Sequence, residues 1–170
     1  MAFVDRVFEF FDSGAGPIDG PYGGTFPGDF PVPVSTDVVL GRDSDSIAEF
    51  LSLPTDSFVT VGFANKTIFD GPGNDIFVNE VGDNSEFADI FVSSDLKNFS
   101  FLGTAASASS SAFDLSTIGF TQPVRAIQVV GLDNAGVSPG FDVVNVEVPD
   151  SSLQDVTTTI NGNNRAAVLF

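Results

Sequence analysis

The sequence predicts an all-β fold, an antiparallel β-sandwich of jelly-roll type, and three observations carry that expectation. From residue 57 onward, short runs rich in Val, Ile, Thr and Phe alternate in polarity with a period of two. Gly, Pro, Asn and Asp punctuate these runs at the roughly 8–12-residue spacing of sandwiches and barrels, too short for βαβ crossovers. Helix start and stop signals are scarce throughout.

Taken in order, residues 1–36 are expected to form a Gly/Pro-rich, loop-rich N-terminal arm packed on the domain. SGAGPIDGPYGGTFPGDFPVPV (13–34) reads as extended loop, with an edge strand at most around Val32 and Val34. Residues 37–149 form the sandwich. Within it DSIAEFLSLP (45–54) fits one short helix or turn, opened by Ser44 or Asp45 and stopped by Pro54. SFVTVGF (57–63), IFVNEVG (76–82), FADIFVSSD (87–95), NFSFLGTA (98–105), RAIQVVGLD (125–133) and FDVVNVEVP (141–149) read as strands. In the last of these, alternation sends Phe141 to the core and Asp142 to the other side. TAASASSSAF (104–113) reads as a small-residue loop. Residues 150–170 form a tail with one added strand over Val156 to Ile160, and its apolar end from Ala166 reads as an ordinary docked or frayed end rather than an export signal.

Composition narrows the function. The chain has 170 residues, with 23 acids against 6 bases and a formal net charge of −17. Such a chain repels phosphate backbones and anionic lipid, which removes nucleic acid and membrane surfaces as default partners. No run approaches the ~18 consecutive apolar residues of a membrane span, so no membrane insertion is expected. Self-repulsion on this scale destabilises a compact state unless salt or bound divalent cations offset it.

Cysteine and histidine are both absent. Disulfides, thiolate or imidazole zinc sites, Ser-His-Asp triads and Cys-His pairs are therefore impossible. A carboxylate pair of the glycosidase kind is the one enzymatic constellation left. Clefts that hold sugar rings usually carry Trp and Tyr, and this chain has no Trp, one Tyr and 19 Phe. The Phe residues read mostly as core, and the chain reads as non-catalytic.

Calcium is the cofactor that the remaining chemistry fits. It takes six to eight oxygens from carboxylates, amides and backbone carbonyls on turn-rich loops. FDGPGNDIFVNEVGDNSE (69–86) offers Asp70, Asn74, Asp75, Asn79, Glu80, Asp83, Asn84 and Glu86, with Gly71, Gly73 and Gly82 to turn the backbone. The turn Gly71-Pro72-Gly73 should bring Asp70 and Asp75 within reach of one cation. GLDNAGVSPGFD (131–142) adds Asp133, Asn134 and Asp142, and GRDSDS (41–46) adds Asp43 and Asp45. The spacing is not that of an EF-hand. Loop acids also serve simply as solvated turn residues. The residues carried forward as metal ligands are Asp70, Asp75, Glu80, Asp83, Asp133 and Asp142.

The run from Asp56 to Ala105 resembles a jelly-roll domain of bacterial cell-surface and PEP-CTERM-associated secreted proteins. That domain is akin to discoidin-like and carbohydrate-binding modules. The resemblance lies in Val61-Gly62-Phe63, in Ile68 through Glu80 with its Asp-Gly-Pro-Gly-x-Asp element, in Ala88 through Phe99, and in the pair Arg125 to Asp133 and Gly140 to Val146. It implies an exported β-sandwich, secreted or at the cell surface, with a structural calcium. Asp70, Asp75, Glu80 and Asp142 stand on matching motif positions. Val144-Asn145 departs from the second acid of the family's Phe-Asp-Leu-Asp element, and Asn98 stands where an Asp-Gly turn is typical. The expected function is a calcium-binding structural or adhesion module outside the cytoplasm, facing a surface glycan or another surface protein. The alternative is a calcium-dependent, lectin-like carbohydrate-binding domain.

Overall fold

The structure is a computed structural model that describes residues 1–41, 47–82, 85–106 and 110–156, and the backbone of 158–159 and 166–167. Asp43, Asp45, Asp83, Asn84 and most of the tail after Val156 lie outside the described residues.

The fold is an all-β antiparallel sandwich. Its strands are β1 (Ala2–Phe3), β2 (Arg6–Phe11), β3 (Tyr22–Phe26), β4 (Val32–Pro33), β5 (Ala48–Leu53), β6 (Phe58–Gly62) and β7 (Lys66–Ile68). They continue with β8 (Ile76–Glu80), β9 (Phe87–Ser93), β10 (Ser100–Ala106), β11 (Ser110–Phe113), β12 (Ala126–Gly131), β13 (Phe141–Val148) and β14 (Leu153–Asp155). Two-residue β15 (Thr158–Thr159) and β16 (Ala166–Ala167) pair with each other. One sheet runs β11-β8-β13-β5-β3-β4, with β1 beside the far half of β13; the other runs β10-β9-β12-β6-β2. From β5 to β13 the chain passes back and forth between these sheets, as in a jelly roll. A separate ladder joins β14 to β7.

Alternation explains why these segments are strands. In β9, Ala88, Ile90 and Val92 are buried in the core while Asp89 and Phe91 face outward. In β12, Ile127 and Val129 point inward, and Gln128 turns out to donate from Nε2 to Thr60 Oγ1 at 3.1 Å. The core between the sheets is mainly Val, Ile and Leu, each contributing about 1.5–3 kcal/mol when fully buried. Phe is not the main core residue: Phe63, Phe113 and Phe141 belong to the core, whereas Phe11, Phe26, Phe69, Phe87 and Phe101 are exposed.

Residues 1–36 are rich in loop, as expected, but they are also part of the sandwich. They supply β1 to β4 and enter both sheets: β2 closes one edge against β6, and β3 pairs with β5. The glycines that suggest loop are there for a close approach. A Cβ on Gly23 would collide with the Phe50 carbonyl across the ladder, so glycine is what lets β3 lie against β5.

The helix expected over 45–54 is absent from residue 48 onward. Leu51 and Leu53 of β5 face the core, while Phe50 and Ser52 are buried on the opposite face. Burial on both faces erases the period-two signature and leaves an apolar run that a helix fits equally well. Ser110–Phe113, expected as loop, forms edge strand β11 against β8 despite its weak β propensity. Among the described residues no helix is long and apolar enough to cross a membrane.

Candidate metal centre

The acids fall into two separate clusters. The first follows from the β11–β8 register, which sets Phe113 opposite Ile76 and so brings Asp114 to Asp75. Asp70 joins them across the Gly71-Pro72-Gly73 turn, and one oxygen from each lies within 4.8 Å of the others. This triad can hold a metal ion. Its acids already have work, however. Asp75 is fully buried, and its Oδ1 accepts from Gly71 N at 2.8 Å and Ser152 Oγ at 2.7 Å. Its Oδ2 accepts from Leu115 N at 3.0 Å. Asp114 caps the 3-10 turn Leu115–Ile118, accepting from Ser116 N at 2.8 Å. Asp70 is exposed.

The second cluster is looser: Glu80 at the end of β8, Glu86 just before β9 and Asp142 on β13 are all buried, but among the described residues it is the Asp70 triad that brings three carboxylate oxygens within 4.8 Å of one another. Phe141 faces the core and Asp142 the opposite side, as alternation predicts. Register places Asp142 opposite Ser52 of β5. Ser52 Oγ donates to Asp142 Oδ1 at 2.5 Å and lies 2.7 Å from Ser138 Oγ. Asp142 Oδ2 accepts no hydrogen bond among the described residues. A methyl on Gly82 would sit 2.5 Å from both Glu80 Oε1 and Glu86 Oε2, so those oxygens stand no more than twice that apart. Gly136, with φ +85°, lies so close to Glu86 Oε1 that a side chain there would strike the carboxylate.

Crowding these carboxyls disfavours their ionised forms. Burial pushes the Asp142 carboxyl up to about 8, and the nearby charge of Glu80 adds to this, against the Ser52 hydrogen bond. Glu86 is raised well above the carboxylate range by burial first, then by Asp142, by its hydrogen bond and charge interaction with Glu80, and by Asp133. Beside them opens a cavity of about 220 Å³ whose lining includes Glu86, Ser138 and Asp142 together with Phe26, Phe30 and Phe50.

The six ligands expected from sequence therefore do not form one site. Asp70 and Asp75 belong to the first cluster, and Glu80 and Asp142 to the second. Asp133 borders the second: its Oδ2 accepts from Phe87 N and its Oδ1 from Ala135 N, so it holds the loop in place, and its charge raises the Glu86 carboxyl further. Asp83 lies outside the described residues. Asn79 is turned away, its Nδ2 donating to Asn145 Oδ1 and Glu147 Oε1, both at 2.6 Å. Glu86, Asp114, Ser52 and Ser138 were not singled out as site residues. Glu86 stood in the acidic loop with no spacing to mark it, and the two serines meet Asp142 only through strand pairing and loop closure.

No protein-family model and no curated protein matches the sequence. Among solved structures, the C-terminal domain of a chitobiase from Bacteroides fragilis is similar over 69% of this chain and 67% of that chain, at 13% identity and a TM-score of 0.40.

Proposed function

We propose that this chain is a calcium-binding, non-catalytic structural or adhesive module, secreted or held at the cell surface, and that Glu80, Glu86 and Asp142 hold its calcium. The observation that supports the reading is a group of buried carboxyls, Glu80 beside Glu86 with Asp142 near enough for charge interaction, two of them raised well above the usual carboxylate range by burial first. A hard dication would replace those protons and turn mutual repulsion into shared attraction. Asp142 Oδ2, which accepts no hydrogen bond among the described residues, has a lone pair to give; in the triad, Asp75 already serves three donors. Weak extracellular calcium modules, with dissociation constants of roughly 10⁻⁴–10⁻³ M, fill outside the cell and stay empty inside it. That physiology, with the jelly-roll resemblance, supports work beyond the cytoplasm.

Calorimetric titration with calcium at pH 8 tests the assignment. Asp142→Asn and Glu86→Gln should each weaken binding at least tenfold while the protein still folds, because each removes a repelling charge from a buried cluster. Asp70→Asn should bind as wild type does. The reverse pattern would move the ion to the Asp70–Asp75–Asp114 triad, and no binding by wild type would end the calcium reading.

A further inference from the structure

We infer that the cavity beside Glu86 and Asp142 is a binding site for a quaternary ammonium ion, held against the rings of Phe26, Phe30 and Phe50 and drawn in by the two acids. The inference goes beyond the calcium reading and does not rest on it.

The rings are set by the β3–β4 connection. A Cβ on Gly24 would strike the Asp29 carbonyl and Phe30, so glycine lets residues 27–31 fold back on β3. Thr25 N donates to Asp29 O at 3.3 Å and closes that loop. Phe30 thereby meets both Phe26 and Phe50, with ring centroids 6.2 and 5.6 Å away. Successive rings are turned by 44° and 67°, so they do not form a flat stack. Rings turned against one another surround a rounded ligand, as in the aromatic cages that hold quaternary ammonium groups.

The acids supply the charge. Glu86 and Asp142 line the cavity with the rings, and among the described residues no Lys or Arg lines it. The charges that act on Glu86 are those of Asp142, Glu80 and Asp133, all of one sign. A cation entering there relieves that repulsion, and low-dielectric walls strengthen its attraction to acids and rings alike. At about 220 Å³ the cavity exceeds the roughly 150 Å³ that admits benzene to an apolar interior. It falls short of the roughly 300–1,000 Å³ of drug-sized sites, so it takes one headgroup. Phe26, half exposed, and Val137, at 72% exposure, border it and would be covered by the ligand's methyl groups. A primary ammonium fits less well. Its three N–H groups need acceptors, while Ser138 Oγ and Asp142 Oδ1 are already engaged with Ser52 Oγ. Calcium on the same acids would cancel the charge that draws the ammonium ion, so the two cations exclude one another.

The test titrates EDTA-treated protein at pH 8 with tetramethylammonium, choline, n-butylammonium and 3,3-dimethylbutan-1-ol, the uncharged isostere of choline. Tetramethylammonium and choline should bind at millimolar concentration, and the isostere at least about tenfold more weakly. Phe26→Leu keeps apolar bulk but removes a half-exposed ring, so it should weaken both ions about tenfold and leave calcium affinity unchanged. Asp142→Asn should weaken both ions as well. Equal binding of choline and its isostere would reduce the cavity to an apolar pocket and overturn the cation site. Tighter binding of n-butylammonium than of tetramethylammonium would overturn the quaternary assignment. Absence of ammonium binding in protein that still binds calcium would overturn this inference alone. Phe26-dependent choline binding that calcium leaves untouched would uphold it and move calcium away from Glu86 and Asp142.

Discussion

Asp75→Ala should lower the stability of the domain by about 3–5 kcal/mol, because the carboxylate it removes is a structural knot. Its two oxygens tie together Gly71 N, Ser152 Oγ and Leu115 N, which come from three separate stretches of chain. Each buried donor left without an acceptor costs about 1–3 kcal/mol, with partial relief where water enters. For a domain of this size, 1 kcal/mol moves the melting temperature by roughly 2–4 °C, so a fall on the order of 10 °C is expected. Asp75→Asn should do little better, since its amide would set a donor against a donor. Thermal unfolding in EDTA measures both variants free of any calcium effect. A loss below about 1 kcal/mol for the alanine variant would show that these hydrogen bonds are not what holds the three segments together.

The second large effect is the dependence of stability on pH and its reversal by calcium. Asp142 has a carboxyl raised to about 8 in the folded state, so between the unfolded carboxylate range and that value the native protein binds more protons than the unfolded chain. Its contribution is therefore complete below about pH 4 and is lost as pH rises toward 8. Glu86 acts in the same direction. Asp95 acts oppositely: the Asn98 backbone and side-chain amides, the Lys97 N–H and the Ser93 hydroxyl hold its carboxyl low, so its contribution fades in acid. In EDTA the melting temperature should peak in mildly acid solution and fall toward pH 8. Each extra proton held by the native state accounts for at most about 1.4 kcal/mol per pH unit. Calcium competes with those protons, so its stabilisation should be negligible at pH 5 and large at pH 8. It should reach about 2.7 kcal/mol at a hundredfold excess over the dissociation constant. Melting curves at the two pH values, with EDTA or calcium, check both signs, and matched NaCl controls for screening. A calcium effect equal at pH 5 and pH 8 would remove the raised carboxyls from the binding site.

The class of fold was legible because period-two alternation survives wherever one strand face meets solvent, as in β9 and β12. It failed at β5, where Phe50 and Ser52 are buried on the face opposite Leu51 and Leu53. It also missed the strands inside the Gly/Pro-rich first 36 residues, where Gly23 serves close strand pairing. The candidate centre was half legible. Asp70, Asp75, Glu80 and Asp142 were visible as acids near turns, yet only strand register and loop closure decide that Asp75 meets Asp114 while Glu80 lies beside Glu86 with the Asp142 charge nearby. Local sequence carries no trace of such pairings, because the partners come from strands far apart in the chain. Ser52 shows this most plainly. It is an ordinary strand serine until β5 pairs with β13 and sets it opposite Asp142.

Anomalous scattering from a crystal grown with calcium at pH 8 tests the central claim most directly. A peak bounded by the carboxylates of Glu80, Glu86 and Asp142 is the predicted result. A peak confined to Asp70, Asp75 and Asp114, or a calcium-soaked crystal with no peak at the buried cluster, would contradict it.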